Sequence, residues 1–263
     1  MKKIIALVLG MIMVLSLVAC APKNDEKQSD LEYVKEKGVL VVGITEFEPM
    51  DYKDGDDWIG FDADMAKAFA KSLGVKVEFQ VIDWNNKIME LDGKNIDVVW
   101  NGMTLTKDVQ KAMECSKPYC NNAQVVVVKK ADADKYQTEE SVANLHFAVE
   151  DGGAAQELLD EKGWKNYTPV PDQAQTLMEV QGGTADATVI DWLMAGATIG
   201  EGTSYADLTY TVRLNEEQYG VGFRKNSDLA EALNDFFVEA YKDGSMIKCA
   251  EKYGVHEALI EQK

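Results

Sequence analysis

Val39-Leu40-Val41-Val42-Gly43-Ile44 is an unbroken apolar run, and a strand of that kind needs cover on both of its faces. Helices supply such cover in chains where strands and helices alternate. The next segments follow that rule. Phe61, Met65, Phe69 and Leu73 recur every fourth residue along one helical stripe, and Gly74 marks its end. Residues 75–81 read as a second strand, 84–91 as a helix and 96–100 as a third strand. That order predicts an α/β unit with parallel pairing and right-handed crossovers.

Four consecutive valines lie within residues 124–130, and a second alternating set then begins. Strands are predicted at 145–149, 167–170, 187–190 and 219–223, with helices at 153–160, 174–181 and 192–199. A Gly/Ser/Thr loop at 200–204 precedes the last strand. Two helices close the chain at 229–241 and 245–253, separated by Asp243-Gly244. Two such units, joined by strands near residues 127 and 218, predict two lobes crossed twice by the chain. The boundaries so read are 37–127 for the first part of lobe 1, 128–217 for lobe 2 and 218–263 for the return to lobe 1. Ligands of open α/β sheets sit beyond the carboxyl ends of strands, so two facing lobes make a cleft.

Charge removes several functions from consideration. The 263 residues carry 45 Asp and Glu against 27 Lys and Arg, a formal charge of −18, which repels phosphate backbones and argues against nucleic acid. Two histidines and four cysteines leave little room for a His-rich metal centre or a disulfide scaffold, and no cofactor is implied.

The amino terminus reads as an address. Lys2 and Lys3 precede an apolar run over residues 4–19 that is short for a membrane span, and Leu17-Val18-Ala19-Cys20 resembles a bacterial lipobox. The resemblance implies a signal peptide at 1–19, cleavage before Cys20, lipid on its thiol and a polar linker over 20–36. The mature protein is then expected outside the cytoplasm, lipid-anchored to the cell membrane. Losing Lys2 and Lys3 takes −18 to −20. Cys115, Cys120 and Cys249 read as partly buried free thiols.

An ordered series of motifs resembles the extracytoplasmic amino-acid-binding proteins of ABC importers, solute-binding family 3. It includes Gly60-Phe61-Asp62-Ala63-Asp64-Met65-Ala66, Val81-Ile82-Asp83-Trp84 and Gly102-Met103-Thr104-Leu105-Thr106. Ser116-Lys117-Pro118-Tyr119, Asp186-Ala187-Thr188-Val189-Ile190-Asp191 and Glu217-Gln218-Tyr219-Gly220-Val221-Gly222-Phe223 continue it, so the resemblance spans residues 37–254. It implies a two-lobed type II periplasmic-binding-protein fold with a double-strand hinge, closing on a small ligand. The expected partners are an amino acid or amine and a membrane permease, and the expected state is a monomer.

The same resemblance implies a site. Trp84 falls where an aromatic ring packs on the ligand side chain, and Glu46 and Phe47 lie on the loop after the first strand. Asn101, Gly102 and Thr104 follow a strand end, where backbone groups and a hydroxyl hold polar ligand atoms. Asp191 receives the ligand ammonium, a charge-assisted contact. Glu150 precedes a glycine turn, and Gly152, Gly153 and Ala154 open a helix whose N–H groups meet a carboxylate.

One departure matters. The family's arginine clamp on the ligand α-carboxylate falls at Val109 here. Lys107, Lys111 or Arg213 would substitute, or the helix N–H groups alone would serve, or the ligand has no α-carboxylate. With Glu46, Glu150 and Asp191 beside Trp84 and Phe47, and no mapped cation, the expected ligand is neutral or cationic. Two other function classes share this scaffold. A dehydratase-like enzyme on the same scaffold needs cationic clamps for a dianionic acid, and Val109 removes one. A sensor or adhesin would lack a neighbouring permease gene.

Overall fold

A computed structural model describes residues 29–263. The signal peptide at 1–19, Cys20 and the linker through residue 28 lie outside the described residues. The rest of that expected linker is a helix, α1 (Asp30–Lys37), capped by the Ser29 side chain, with acids in its first turn and lysines in its last. It docks on lobe 1: Val34 is fully buried, and Arg224 pairs with Asp30 at 3.0 Å. Lobe 1 therefore begins several residues before 37.

Lobe 1 continues with β1 (Val39–Ile44), the hairpin β2 (Tyr52–Asp54) and β3 (Asp57–Ile59), α2 (Phe61–Leu73) and β4 (Lys76–Val81). A 3-10 turn at Trp84–Asn86, capped by Asp83, leads into α3 (Lys87–Asp92), so the helix expected from Trp84 starts in a tighter turn. Then come β5 (Val98–Thr104), α4 (Lys107–Ala112), β6 (Glu114–Cys115) and β7 (Cys120–Asn122).

Lobe 2 holds β8 (Gln124–Lys129), α5 (Glu139–Val142), β9 (Phe147–Glu150), α6 (Ala154–Lys162) and β10 (Tyr167–Val170). It continues through α7 (Gln173–Gly182), β11 (Ala187–Asp191), α8 (Trp192–Thr198) and β12 (Leu208–Arg213). The chain returns to lobe 1 as β13 (Glu217–Phe223), α9 (Leu229–Lys242) and α10 (Ser245–Lys252).

Each lobe has its own sheet, ordered β4-β1-β5-β13-β6 with β7 on β13 in lobe 1, and β10-β9-β11-β8-β12 in lobe 2. The expected parallel units are present: β1 lies parallel between β4 and β5, and β9 between β10 and β11. The strands that follow the crossings, β8 and β13, run antiparallel to their neighbours. This is the two-lobed α/β architecture with a double-strand hinge.

The crossings sit a few residues from the expected ones. The first falls at Ala123, so residues 124–127 pair within the lobe 2 sheet, and the second spans 214–216. β5 also outlasts its expected end at Trp100, running on through Thr104 opposite Tyr219. Gly102 holds φ +55, and the pairing absorbs it with a register shift between Gly220 and Gly222. Trp100 is fully buried against Phe69 and Phe237 in the lobe 1 core.

Among the described residues no helix is long and apolar enough to cross a membrane. Cys115, Cys120 and Cys249 are free thiols, and burial pushes Cys115 up to about 11 and Cys249 up to about 12.

Candidate functional site

Strand ends and helix starts from both lobes converge on one cavity enclosing about 480 Å³ of space outside the atoms, part of it open to solvent. Lobe 1 contributes Phe47 from the loop after β1, Trp84 from the turn after β4, and Asn101, Gly102 and Thr104 from β5. Lobe 2 contributes Glu150 at the end of β9, Gly152 and Ala154 at the start of α6, and Asp191 at the end of β11. These residues lie far apart in sequence and meet because each sits at a carboxyl-terminal strand end.

Two expected residues fall elsewhere. Glu46 is exposed and lines a neighbouring groove with Glu48 and Tyr52, while the adjacent Phe47 is buried in the cavity. Gly153 is buried behind the cavity wall: a Cβ there would lie 2.8 Å from a Glu150 carboxylate oxygen.

Several of the polar groups are already engaged. The Asn101 carboxamide accepts from the Thr45 N–H (3.0 Å) and hydroxyl (2.7 Å) and donates to the Thr45 carbonyl (3.0 Å) and to Asp51 (2.8 Å), which ties β5 to the loop after β1. Gly102 N–H donates to buried Asp62 at 2.6 Å. A Cβ on Gly102 would stand 2.5 Å from the Phe47 ring, so glycine is what lets that ring form the cavity floor. Thr104 Oγ1 donates to Glu217 at 2.8 Å and keeps its lone pairs.

The start of α6 is similarly committed. Gly152 N–H donates to Gln156 at 2.7 Å and Gly153 N–H to the Glu150 carbonyl at 3.1 Å, so neither is the free donor expected from the sequence. Gly152, at φ +69, lets this turn approach lobe 1: a Cβ would meet Asn85 Cα at 2.7 Å.

Asp191 sits at the hinge. Its Oδ1 accepts from the Tyr219 hydroxyl at 2.6 Å, from Gln124 at 3.2 Å and from Asn122, while Oδ2 accepts from Gln173. One lone pair on Oδ2 is left for a ligand donor. Burial, then the neighbouring Glu217 carboxylate, push Asp191 up to about 8. Burial and Asp191 in turn push Glu150 up to about 8, with Lys87 opposing.

The structure also supplies what the sequence reading lacked, a cation in the cavity. Lys87 is 7% exposed, and its Nζ donates to the Trp84 carbonyl at 3.1 Å and, across the cleft, to the Gly152 carbonyl at 2.9 Å. It stands 5.0 Å from the Trp84 ring centroid. Burial lowers its pKa, and Glu150 foremost among nearby acids counters that. Asn85 adds a second contact between the lobes, to Asp151 at 3.1 Å.

Val109, the position of the missing clamp, does line the cavity. None of the three substitutes read from sequence reaches it. Lys107 and Lys111 are exposed, and Arg213 pairs with Glu216 at 2.7 Å over the Trp192 ring. Sequence reasoning also missed Thr45, Met103, Thr106, Glu157 and Gln173 in the lining. Spacing offered a signal for two of the missed residues: Lys87 lies three residues after Trp84, and Glu157 three after Ala154, each one helical turn along the same face.

Two α/β lobes on a double hinge, with a charged and aromatic cavity between them, define a binding protein that encloses a small polar solute. The chain belongs to the bacterial extracellular solute-binding proteins, family 3, whose sequence model matches residues 40–256. Among its relatives is the arginine-binding extracellular protein ArtP of Bacillus subtilis, 29% identical over 96% of this chain and 98% of that one. Among solved structures, a substrate-binding protein of an ABC uptake transporter from Streptococcus pneumoniae with bound histidine superposes with a TM-score of 0.78. It is 26% identical and matches over 86% of this chain and 96% of its own. The ancestral amino-acid-binding protein AncCDT-1, a precursor of cyclohexadienyl dehydratase, gives 0.76 at 31% identity over 86% and 99% of the two chains.

Proposed function

We propose that this protein captures an amino acid with a neutral or cationic side chain between its lobes and presents it to an ABC permease. The observation that carries the ligand class is the cavity's charge: Glu150, Glu157 and Asp191 face a single lysine, with Trp84 and Phe47 as aromatic walls. Carboxylates and ring faces both favour a cation, and the ring contact alone contributes about 0.5–2 kcal/mol. Relatives that carry arginine or histidine fit that chemistry.

Binding acts by differential affinity. Ligand groups that touch both lobes stabilise the closed form, and a ligand equally bound by both forms shifts nothing. No covalent step is needed, and the protein acts as a carrier, not an enzyme. It works as a monomer held outside the cytoplasm by lipid on Cys20. Val109 in the cavity wall favours a second ligand class, amines without an α-carboxylate.

Calorimetry on protein lacking residues 1–20 tests this with L-arginine, L-lysine, L-glutamine, L-glutamate, agmatine and cadaverine. The first three bind more tightly than glutamate, and Asp191→Ala weakens them roughly tenfold or more by removing a contact to a charged group. Tighter glutamate binding overturns the ligand class, and binding only of the two amines favours the second class. Retention of a Cys20→Ser variant in the membrane fraction overturns the anchor.

A further inference from the structure

Lys87 is held in an unusual way for a buried ammonium. Both of its hydrogen bonds go to neutral backbone carbonyls, Trp84 on its own lobe and Gly152 on the other, and neither goes to a carboxylate. An ammonium has three N–H donors, so one remains. Among the described residues that line the cavity, Lys87 is the one cation, and it shares that wall with Val109. The nearby carboxylates, Glu150 foremost, act on it without a hydrogen bond, so a buried ammonium is left with a donor that no anion fills.

We infer that Lys87 holds the ligand's α-carboxylate through its third N–H, taking the place of a clamp that Val109 cannot provide. The inference rests on the amino-acid reading of the cavity and deepens it. The two carbonyls hold Nζ in place, and Lys87 lines the cavity, so its remaining N–H is the donor this inference assigns to the ligand. Glu150 and Glu157, which act on Lys87 electrostatically, then face the ligand's cationic parts. An anion bound by Lys87 and a cation bound by Asp191 stand on opposite lobes, so a zwitterion spans the cleft and closes it. The Gly152 contact makes Lys87 part of the closure as well. A single lysine forms one point contact where arginine forms a planar fork, so selection for the carboxylate is weaker here than with an arginine clamp.

The test separates the carboxylate contact from closure by a ratio. Binding of L-arginine and its decarboxylated counterpart agmatine, and of L-lysine and cadaverine, is measured by calorimetry on the protein lacking residues 1–20 and on its Lys87→Met variant. Loss of the carboxylate contact lowers the amino acid to amine affinity ratio roughly ten- to hundredfold. Adding Val109→Arg to Lys87→Met restores much of that ratio, because residue 109 faces the same cavity. Amine binding by the variant also reports that it is folded. A ratio unchanged within twofold, with both affinities lowered together, makes Lys87 only a contact between lobes and overturns the inference. Unchanged affinities for both ligands overturn it too. Failure of the unmutated protein to bind any amino acid while binding amines overturns the amino-acid reading itself, a result visible before any variant is made.

Discussion

Burial first, and then a neighbouring carboxylate (Glu217 for Asp191, Asp191 for Glu150), pushes both groups up to about 8, so in the ligand-free cavity each takes up a proton more readily than an ordinary carboxylate. A ligand ammonium or guanidinium beside them favours their ionised forms and drives those protons off. Below pH 8 a cationic ligand must therefore displace protons, and its affinity rises as pH rises toward 8. At pH 6.5, titrations of L-arginine in phosphate and in Tris, whose ionisation enthalpies differ, report a net release of up to two protons per ligand. Asp191→Asn removes part of that release. Equal heats in the two buffers show that neither carboxylate meets the ligand's charge.

The elements that were legible in the sequence are those whose pattern is strong and uninterrupted, such as β1 and the four-residue stripe of α2. β12 escaped because Leu208-Thr209-Tyr210-Thr211-Val212 follows a glycine-rich loop, and a bulge between Tyr210 and Val212 breaks its alternation. The far half of β5 escaped because Asn101 and Gly102 read as strand breakers, whereas their side-chain and bulge geometry lets the ladder continue. More than half of the cavity lining followed from the family resemblance, yet Lys87 did not. Lys87 lies one helical turn beyond Trp84, and its burial depends on how α3 packs against the other lobe, which local spacing alone does not show. The hinge was located only approximately, because its exact place depends on which sheet each strand joins. There, Asn122 links three segments: its amide donates to Asp191 of β11 and to Glu217 of β13 at 2.7 Å, and its carbonyl accepts from Leu193 of α8 at 3.3 Å. Asn122→Ala leaves Gln124 as the remaining amide that donates to both carboxylates and costs about 1–3 kcal/mol, read as a lower urea midpoint with unchanged slope. Asn122→Asp adds a third carboxyl group and destabilises more at pH 8 than at pH 5. Equal losses at both pH values contradict this account of the hinge.

Across the whole molecule, the acids whose proton affinity the fold shifts fall into two groups with opposite pH behaviour. Asp64 belongs to the first: Lys252, Tyr253 and Lys67 hold it below the usual carboxylate range against the cost of its burial, so its contribution is lost as pH falls. Asp51, Asp62, Glu150 and Asp191 form the second. Burial raises all of them, Asp62 to about 7 and the cavity pair to about 8, and Asp62 adds its repulsion to the burial of Asp51. Their folded-state values exceed those of the unfolded chain, so the folded state binds more protons through the window between them. The stability these groups contribute is complete below about pH 4 and is lost as pH climbs through 7 to 8. Surface repulsion among the carboxylates behind the formal charge of −18 acts in the same direction. The ligand-free protein is therefore more stable at pH 5.5 than at pH 8, by several degrees in Tm, since about 1 kcal/mol corresponds to roughly 2–4 °C for a chain of this size. Thermal unfolding from pH 5 to 8.5 at fixed ionic strength checks this. Asp62→Asn and Asp191→Asn each flatten the profile, because an amide cannot ionise, and a saturating cationic ligand flattens it by holding the cavity carboxylates charged. A Tm that climbs steadily from pH 5.5 to 8 in the absence of ligand shows that the buried acids are ionised in the folded state, and the proton release argued for Asp191 and Glu150 fails with it.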